Sequence, residues 1–375
     1  MKGRQISDQR FQVDALDGLR GMAVLLVILS HTSNADQQIV SWLNFSGIGK
    51  SGVFLFFTLS AFLLTYPFVV KGKEALTRFQ LANYFVRRFF RIYPLYFLYL
   101  LAAVVSTAMI GWWLTPDKPF GIPLSMDLAG MWRHLSLQEG KGVTWSIAVE
   151  FQFYFVLPVL VATWVLLKRN LILCCAVVLA AIVICYQLWP PEEVTGNDVR
   201  LGPYMAVFLC GSMLALLQFY WRNSAVADSR KWQWAMELMA LFAFTAAIIT
   251  IPSVYAWVTG TPIPRNYFHH SFIMYAVIWG AVLFGILNGV GYFRRCFEWP
   301  PLRYMGFISF SAYLVHPTCV GVMAHLGRVL PLPGVVQVMS VVGLTVLISM
   351  VSFKLIESPS SRIKLQPKKI VGARV

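Results

Sequence analysis

Apolar residues fill ten stretches of this chain, roughly 19–35, 46–70, 90–111, 143–167, 170–189, 201–220, 233–251, 269–288, 304–325 and 334–356, and polar residues gather between them. Most stretches approach the ~20 residues with which a helix crosses a bilayer. A spanning segment must satisfy its own backbone polar groups, so each stretch is predicted to be a helix. The pattern predicts an all-α, polytopic membrane bundle of about ten transmembrane helices. It forms one domain over residues 1–375, with short tails at 1–15 and 358–375. No internal repeat or low-complexity linker interrupts it, and the longest polar connection runs from about 112 to 142.

Composition agrees. The chain is 58% hydrophobic and 13% charged, with a mean hydropathy of +0.65; a soluble domain carries about 25% charged residues. Charge sets the orientation. With the N-terminus in the cytoplasm, 24 of the 31 Lys and Arg fall in cytoplasmic segments and 7 outside. That asymmetry predicts both termini on the cytoplasmic side. The net charge of +15 is then loop charge facing anionic lipid, and nucleic-acid binding is excluded for want of a soluble basic domain. Cys174, Cys175, Cys185, Cys210 and Cys319 lie in apolar runs and Cys296 in a basic loop. Their spacing suits neither a disulfide framework nor a metal site, so no metal is expected.

The first stretch, "LDGLRGMAVLLVILSHTSN" at 16–34, carries ionisable residues at both ends of its apolar core. A cleavable leader is the competing reading of a basic flank and a short core. The run lacks a small-residue cleavage site, and nine further spans follow. Its brevity predicts a helix inside the bundle rather than one bathed in lipid. Arg20 and His31 are eleven residues apart. That is close to three turns, so they share a face and lie about 16 Å apart along the axis. Charged residues within a span are functional candidates by default. The plain alternatives are a topology anchor for Arg20 and an interhelical hydrogen bond for His31.

Further clusters follow. In "VRRFFRIYPLY" at 86–96, Arg88 and Arg91 share a helical face at the cytoplasmic end of the third span, and Arg87 points elsewhere. Their guanidinium forks match phosphate oxygens, and Arg20 would complete the clamp; positive-inside anchoring is the alternative. In "TWSIAVEFQFYFVLP" at 144–158, Glu150 is an acid in an apolar span, with Ser146 and Tyr154 four residues to either side. A buried carboxylate needs a partner or a proton, and His31 or an arginine is expected to serve. "ISFSAYLVHPTCV" at 308–320 places His316 before Pro317, where a kink would free carbonyls. His316 reads as structural rather than catalytic, and Glu357 as a structural acid near a cytoplasmic arginine.

Five segments together resemble acyltransferase family 3, the integral membrane acyltransferases: "ALDGLRGMAVLLVILSH", "SGVFLFFTLSAFLLT", "RRFFRIYPLYF", "TWSIAVEFQFYF" and "ISFSAYLVHP". They follow the family's order over nearly the whole chain. The resemblance implies a bundle of about ten helices that transfers an acyl group, often acetyl, from acyl-CoA to a carbohydrate-type hydroxyl. By position, Arg20 and His31 match the family's essential pair, Arg88 and Arg91 its Arg-x-x-Arg, and Glu150 the acid of its Trp-Ser-x-x-x-Glu segment. Phe151 stands where many members have a second acid, and Ala61 where many have glycine.

The resemblance implies catalysis by His31 and Glu150 and acyl-CoA binding by Arg20, Arg88 and Arg91. His31 is expected to act as general base, or to take the acyl group first, with Glu150 orienting the imidazole. The partners implied are acyl-CoA, a carbohydrate or glycoconjugate acceptor and membrane lipid, in a bacterial inner membrane. A multi-span transporter or flippase for a small solute or lipid-linked sugar is the alternative. It would also use intramembrane Arg, His and Glu, but no paired inverted repeat is visible. Trp112, Trp113, Trp132 and His134 are candidate sugar contacts, with interfacial anchoring the plainer role.

Overall fold

A computed structural model describes residues 14–113, 125–194 and 196–366. Among these every regular element is helical. They are α1 (Asp14–Asn34), α2 (Gly49–Lys71), α3 (Arg78–Trp113), α4 (Leu128–Leu135), α5 (Trp145–Leu166), α6 (Leu171–Leu188) and α7 (Met205–Arg222). Then come α8 (Arg230–Ile249), α9 (Pro252–Thr259), α10 (Phe272–Asn288), α11 (Tyr292–Phe297), α12 (Pro300–Phe307), α13 (Ser309–Val329) and α14 (Gly334–Ser352). A π-helical turn, Phe353–Glu357, extends α14.

All ten predicted stretches fall on helices. Eight described helices are long and apolar enough to cross a membrane, α12 and α13 form a ninth candidate bent by 84°, and α10 is apolar but shorter. Two boundaries need correction. Helix α3 begins at Arg78 rather than near 90. Its first turns are polar on several faces and carry no hydropathy signal, yet they continue the helix and place Arg88 and Arg91 well inside it. The stretch 304–325 is not one straight span: it breaks at Ile308, between α12 and α13. Helix α13 continues through Pro317, so the sharp bend lies upstream of the proline.

The layering follows the apolar patterns. In α2 and α7, 72% of the most apolar window is buried, and in α1 61%; in α6 the share is 11%, and in α8 and α14 22%. The short first helix is therefore interior, as its brevity predicts. Helix α6 is apolar all round and exposes Ile172, Leu179 and Val183, the surface that lipid would cover. Glycine lets α1 approach its neighbours backbone to backbone. A Cβ on Gly18 would strike the Phe297 carbonyl, one on Gly21 the Leu302 carbonyl, and one on Gly306 the Asp17 carbonyl. Helix α12 is thus pressed across α1, while α13 runs beside α14 and also packs on α1.

Of the residues in the charge count, Lys2, Arg4, Arg10, Lys118, Lys368, Lys369 and Arg374 lie outside the described residues.

Candidate active site

Two cavities open along α1. The first, about 450 Å³, lies towards the N-terminal end of α1 and has Arg20, Arg88, Arg91, Glu150 and Glu357 in its wall. The second, about 390 Å³, lies towards the C-terminal end and includes His31. Both fall in the size range of small-molecule sites. Val53 and Tyr313 belong to both walls, so the cavities abut there.

The arginine cavity brings together the three guanidinium groups singled out from sequence. Arg88 and Arg91 come from one face of α3 and Arg20 from α1, while Arg87 is exposed. Arg20 has a loose contact of 3.4 Å with Asp17. Among the described residues no carboxylate lies within ion-pair distance of Arg88 or Arg91. Arg88 Nε is buried without a hydrogen-bond partner. A buried donor left unpaired is uncommon in a folded protein and marks room for an acceptor.

The nearby acids are engaged by hydroxyl groups. The Tyr154 hydroxyl donates to Glu150 Oε1 at 2.9 Å, and Ser60 Oγ donates to the same oxygen. Ser311 Oγ donates to Glu357 Oε2 at 2.9 Å, and the π-helical turn carries this acid into the wall. Of the two partners expected for Glu150, His31 or an arginine, it lies with the arginines in this cavity and its hydrogen bonds come from two hydroxyls. Ser146, on the predicted face, does not reach Glu150. It donates to the Tyr313 hydroxyl at 2.9 Å, and Tyr313 donates in turn to the Val143 carbonyl at 2.9 Å.

His31 finds its partner on α13. His316 Nε2 lies 3.1 Å from His31 Nδ1, and His316 Nδ1 lies 3.1 Å from the Ala312 carbonyl. The carbonyl can only accept, so His316 Nδ1 carries a proton. In a neutral pair His316 Nε2 then accepts from His31 Nδ1–H, which leaves His31 Nε2 with a free lone pair. That is the tautomer a general base needs. Sequence reasoning noticed His316 but read it as structural. The signal in the sequence is an ionisable residue inside the apolar run at 308–320.

His134 is fully buried, with Nδ1 on the Gly130 carbonyl at 2.8 Å and Nε2 accepting from Lys141 N–H at 3.1 Å. Both nitrogens are used, so it fixes the end of α4 rather than meeting a sugar. Trp132 is exposed, and the side chains of Trp112 and Trp113 lie outside the described residues. In the loop before α10, His269 donates from Nε2 to the Gly47 carbonyl at 2.7 Å. Burial pushes its pKa down to about 4, so it is neutral at physiological pH.

A family model described as an acyltransferase domain matches residues 13–354. The chain is 24% identical to the peptidoglycan O-acetyltransferase OatA of Listeria monocytogenes over 368 residues, covering 93% of this chain and 56% of that protein. It is 25% identical to the acyltransferase MdmB of Streptomyces mycarofaciens, covering 81% of this chain and 78% of that one. It is also 25% identical to the O-acetyltransferase OatA of Staphylococcus aureus, covering 92% and 56% respectively. The chain thus spans little more than half the length of the two OatA proteins. No solved structure matches it.

Proposed function

The chain belongs to acyltransferase family 3, and on that footing we propose that it is an integral membrane O-acyltransferase. It would move an acyl group, acetyl in the simplest case, from cytoplasmic acyl-CoA to a hydroxyl of a carbohydrate or glycoconjugate in a bacterial inner membrane. One observation carries the reading: a cavity with two arginines free of acidic partners abuts a cavity holding His31, whose Nδ1 lies 3.1 Å from His316 Nε2. The family and the relatives' names lend nothing to the transporter alternative.

The donor's phosphates would lie against Arg20, Arg88 and Arg91, where guanidinium forks and a low local dielectric favour them. The pantetheine arm would run along α1 and present the thioester at the wall shared by the cavities. His31 Nε2 takes the proton from the acceptor hydroxyl, whose oxygen attacks the thioester carbon. The tetrahedral adduct then expels the CoA thiolate, and the imidazolium returns its proton to the sulfur. His316, by accepting from Nδ1–H, positions His31 and disperses the charge it gains. Glu150 belongs to the donor side in this scheme, holding Tyr154 and Ser60 beside the guanidinium groups.

The direct test is thioester consumption by the purified chain in lipid nanodiscs, with carbohydrate acceptors supplied and the acylated product identified by mass spectrometry. Solute flux without acylation would overturn the reading. Arg88→Ala is expected to raise KM for acetyl-CoA about tenfold or more, equivalent to about 1.4 kcal/mol of binding, with kcat at saturation changed far less. An unchanged KM would remove Arg88 from the phosphate site.

A further inference from the structure

The histidine cavity has a chemical bias of its own. Its wall contains Lys50, Asn34, Asn197 and Asn266 beside His31, and among the described residues no Asp or Glu lines it. Lys50 Nζ donates to the Gly196 carbonyl at 2.8 Å and lies 5.9 Å from the centre of the Trp145 ring. No described carboxylate lies within ion-pair distance of it. The nearest acid in sequence to that wall, Asp198, is taken by the Arg200 guanidinium at 2.5 and 2.9 Å. His269 is neutral and spent on Gly47. The cavity thus holds one ammonium group, several amide side chains and no opposing charge.

A cation kept in a partly desolvated cavity without a counter-charge is a poor device for a neutral ligand and a good one for an anion. The amides of Asn34, Asn197 and Asn266 offer both donors and acceptors, which suits the hydroxyls of a sugar. We propose that this cavity binds a carbohydrate bearing an acidic group, carboxylate or phosphate, with Lys50 holding that group and the sugar hydroxyl directed to His31. The inference takes the acyltransferase reading as its basis for calling the ligand an acceptor, and adds the class of acceptor.

The test uses the full chain in nanodiscs and three matched probes: glucuronic acid, glucose 1-phosphate and glucose. Calorimetric titration is expected to show at least one acid binding about tenfold or more tighter than glucose. Which acid wins separates a carboxylate ligand from a phosphate. Lys50→Met should abolish the preference, and Lys50→Arg should restore it, which separates charge recognition from a folding defect. Equal binding of glucose and both acids, failure of both acids to bind, or a preference that survives Lys50→Met overturns the proposal. Thioester consumption is measured separately. Turnover without acid preference sinks this inference alone, and acid-selective binding without turnover on any acceptor sinks the acyltransferase reading alone.

Discussion

Replacing His31 by alanine is expected to cut acyl transfer by a factor on the order of 10²–10⁴, the range that a positioned general base supplies. The side chain ends in a cavity, so its loss should leave membrane insertion intact and lower the melting temperature only by the lost His316 hydrogen bond. Product formation by mass spectrometry, read beside the melting curve, checks both halves. Transfer within about twofold of wild type would remove the base from the mechanism. The companion change is His316→Gln, whose carboxamide oxygen can still accept from His31 Nδ1–H. It should retain more activity than His316→Ala, because alanine leaves that proton unpartnered and lets the wrong tautomer compete. A merely structural His316 would affect melting in both variants and leave the pH–rate profile unmoved.

The second large effect is on assembly. Gly306→Val is expected to prevent the folded bundle from accumulating, because its Cβ would meet the backbone carbonyl of Asp17, which has no rotamer to move. Overpacking of a well-filled core costs about 1–3 kcal/mol, and occasionally more. Here relief requires α1 to shift as a body, and α1 carries both Arg20 and His31. Gly343→Ala is the control. Its Cβ would have no atom within 4 Å, so it should be neutral or slightly stabilising. Size-exclusion profiles in detergent after graded heating compare the two. A monodisperse Gly306→Val protein with wild-type melting would show that α1 and α12 have freedom that the close approach denies.

Hydropathy made the ten helices legible, because each apolar run reports its own length to the reader. It failed where a helix leaves the apolar pattern, at the polar first turns of α3, and where tertiary packing breaks a span, at Ile308. Within the site, periodicity placed Arg88 with Arg91 and Glu150 with Tyr154, since such pairs lie within one helix. It could not tell which helix each face would meet. Glu150 and Ser60 are 90 residues apart in sequence, and His31 and His316 are 285 apart. A repeat of 3.6 residues fixes direction around an axis and carries no information about the neighbour in that direction. The acid-free environment of Lys50 was hidden for the same reason, since its wall is assembled from several separate segments.

The wall between the cavities has a second physical consequence. Cavities reach inward from the two ends of α1 and meet at Val53 and Tyr313, with the tyrosine hydroxyl tied to Ser146 and the Val143 carbonyl. Without that partition the two cavities would join. A continuous aqueous path through a membrane-spanning bundle would dissipate any ion gradient held across that membrane. Tyr313→Ala is therefore expected to raise ion leak across proteoliposomes, and a leak equal to wild type would show that other side chains close the partition.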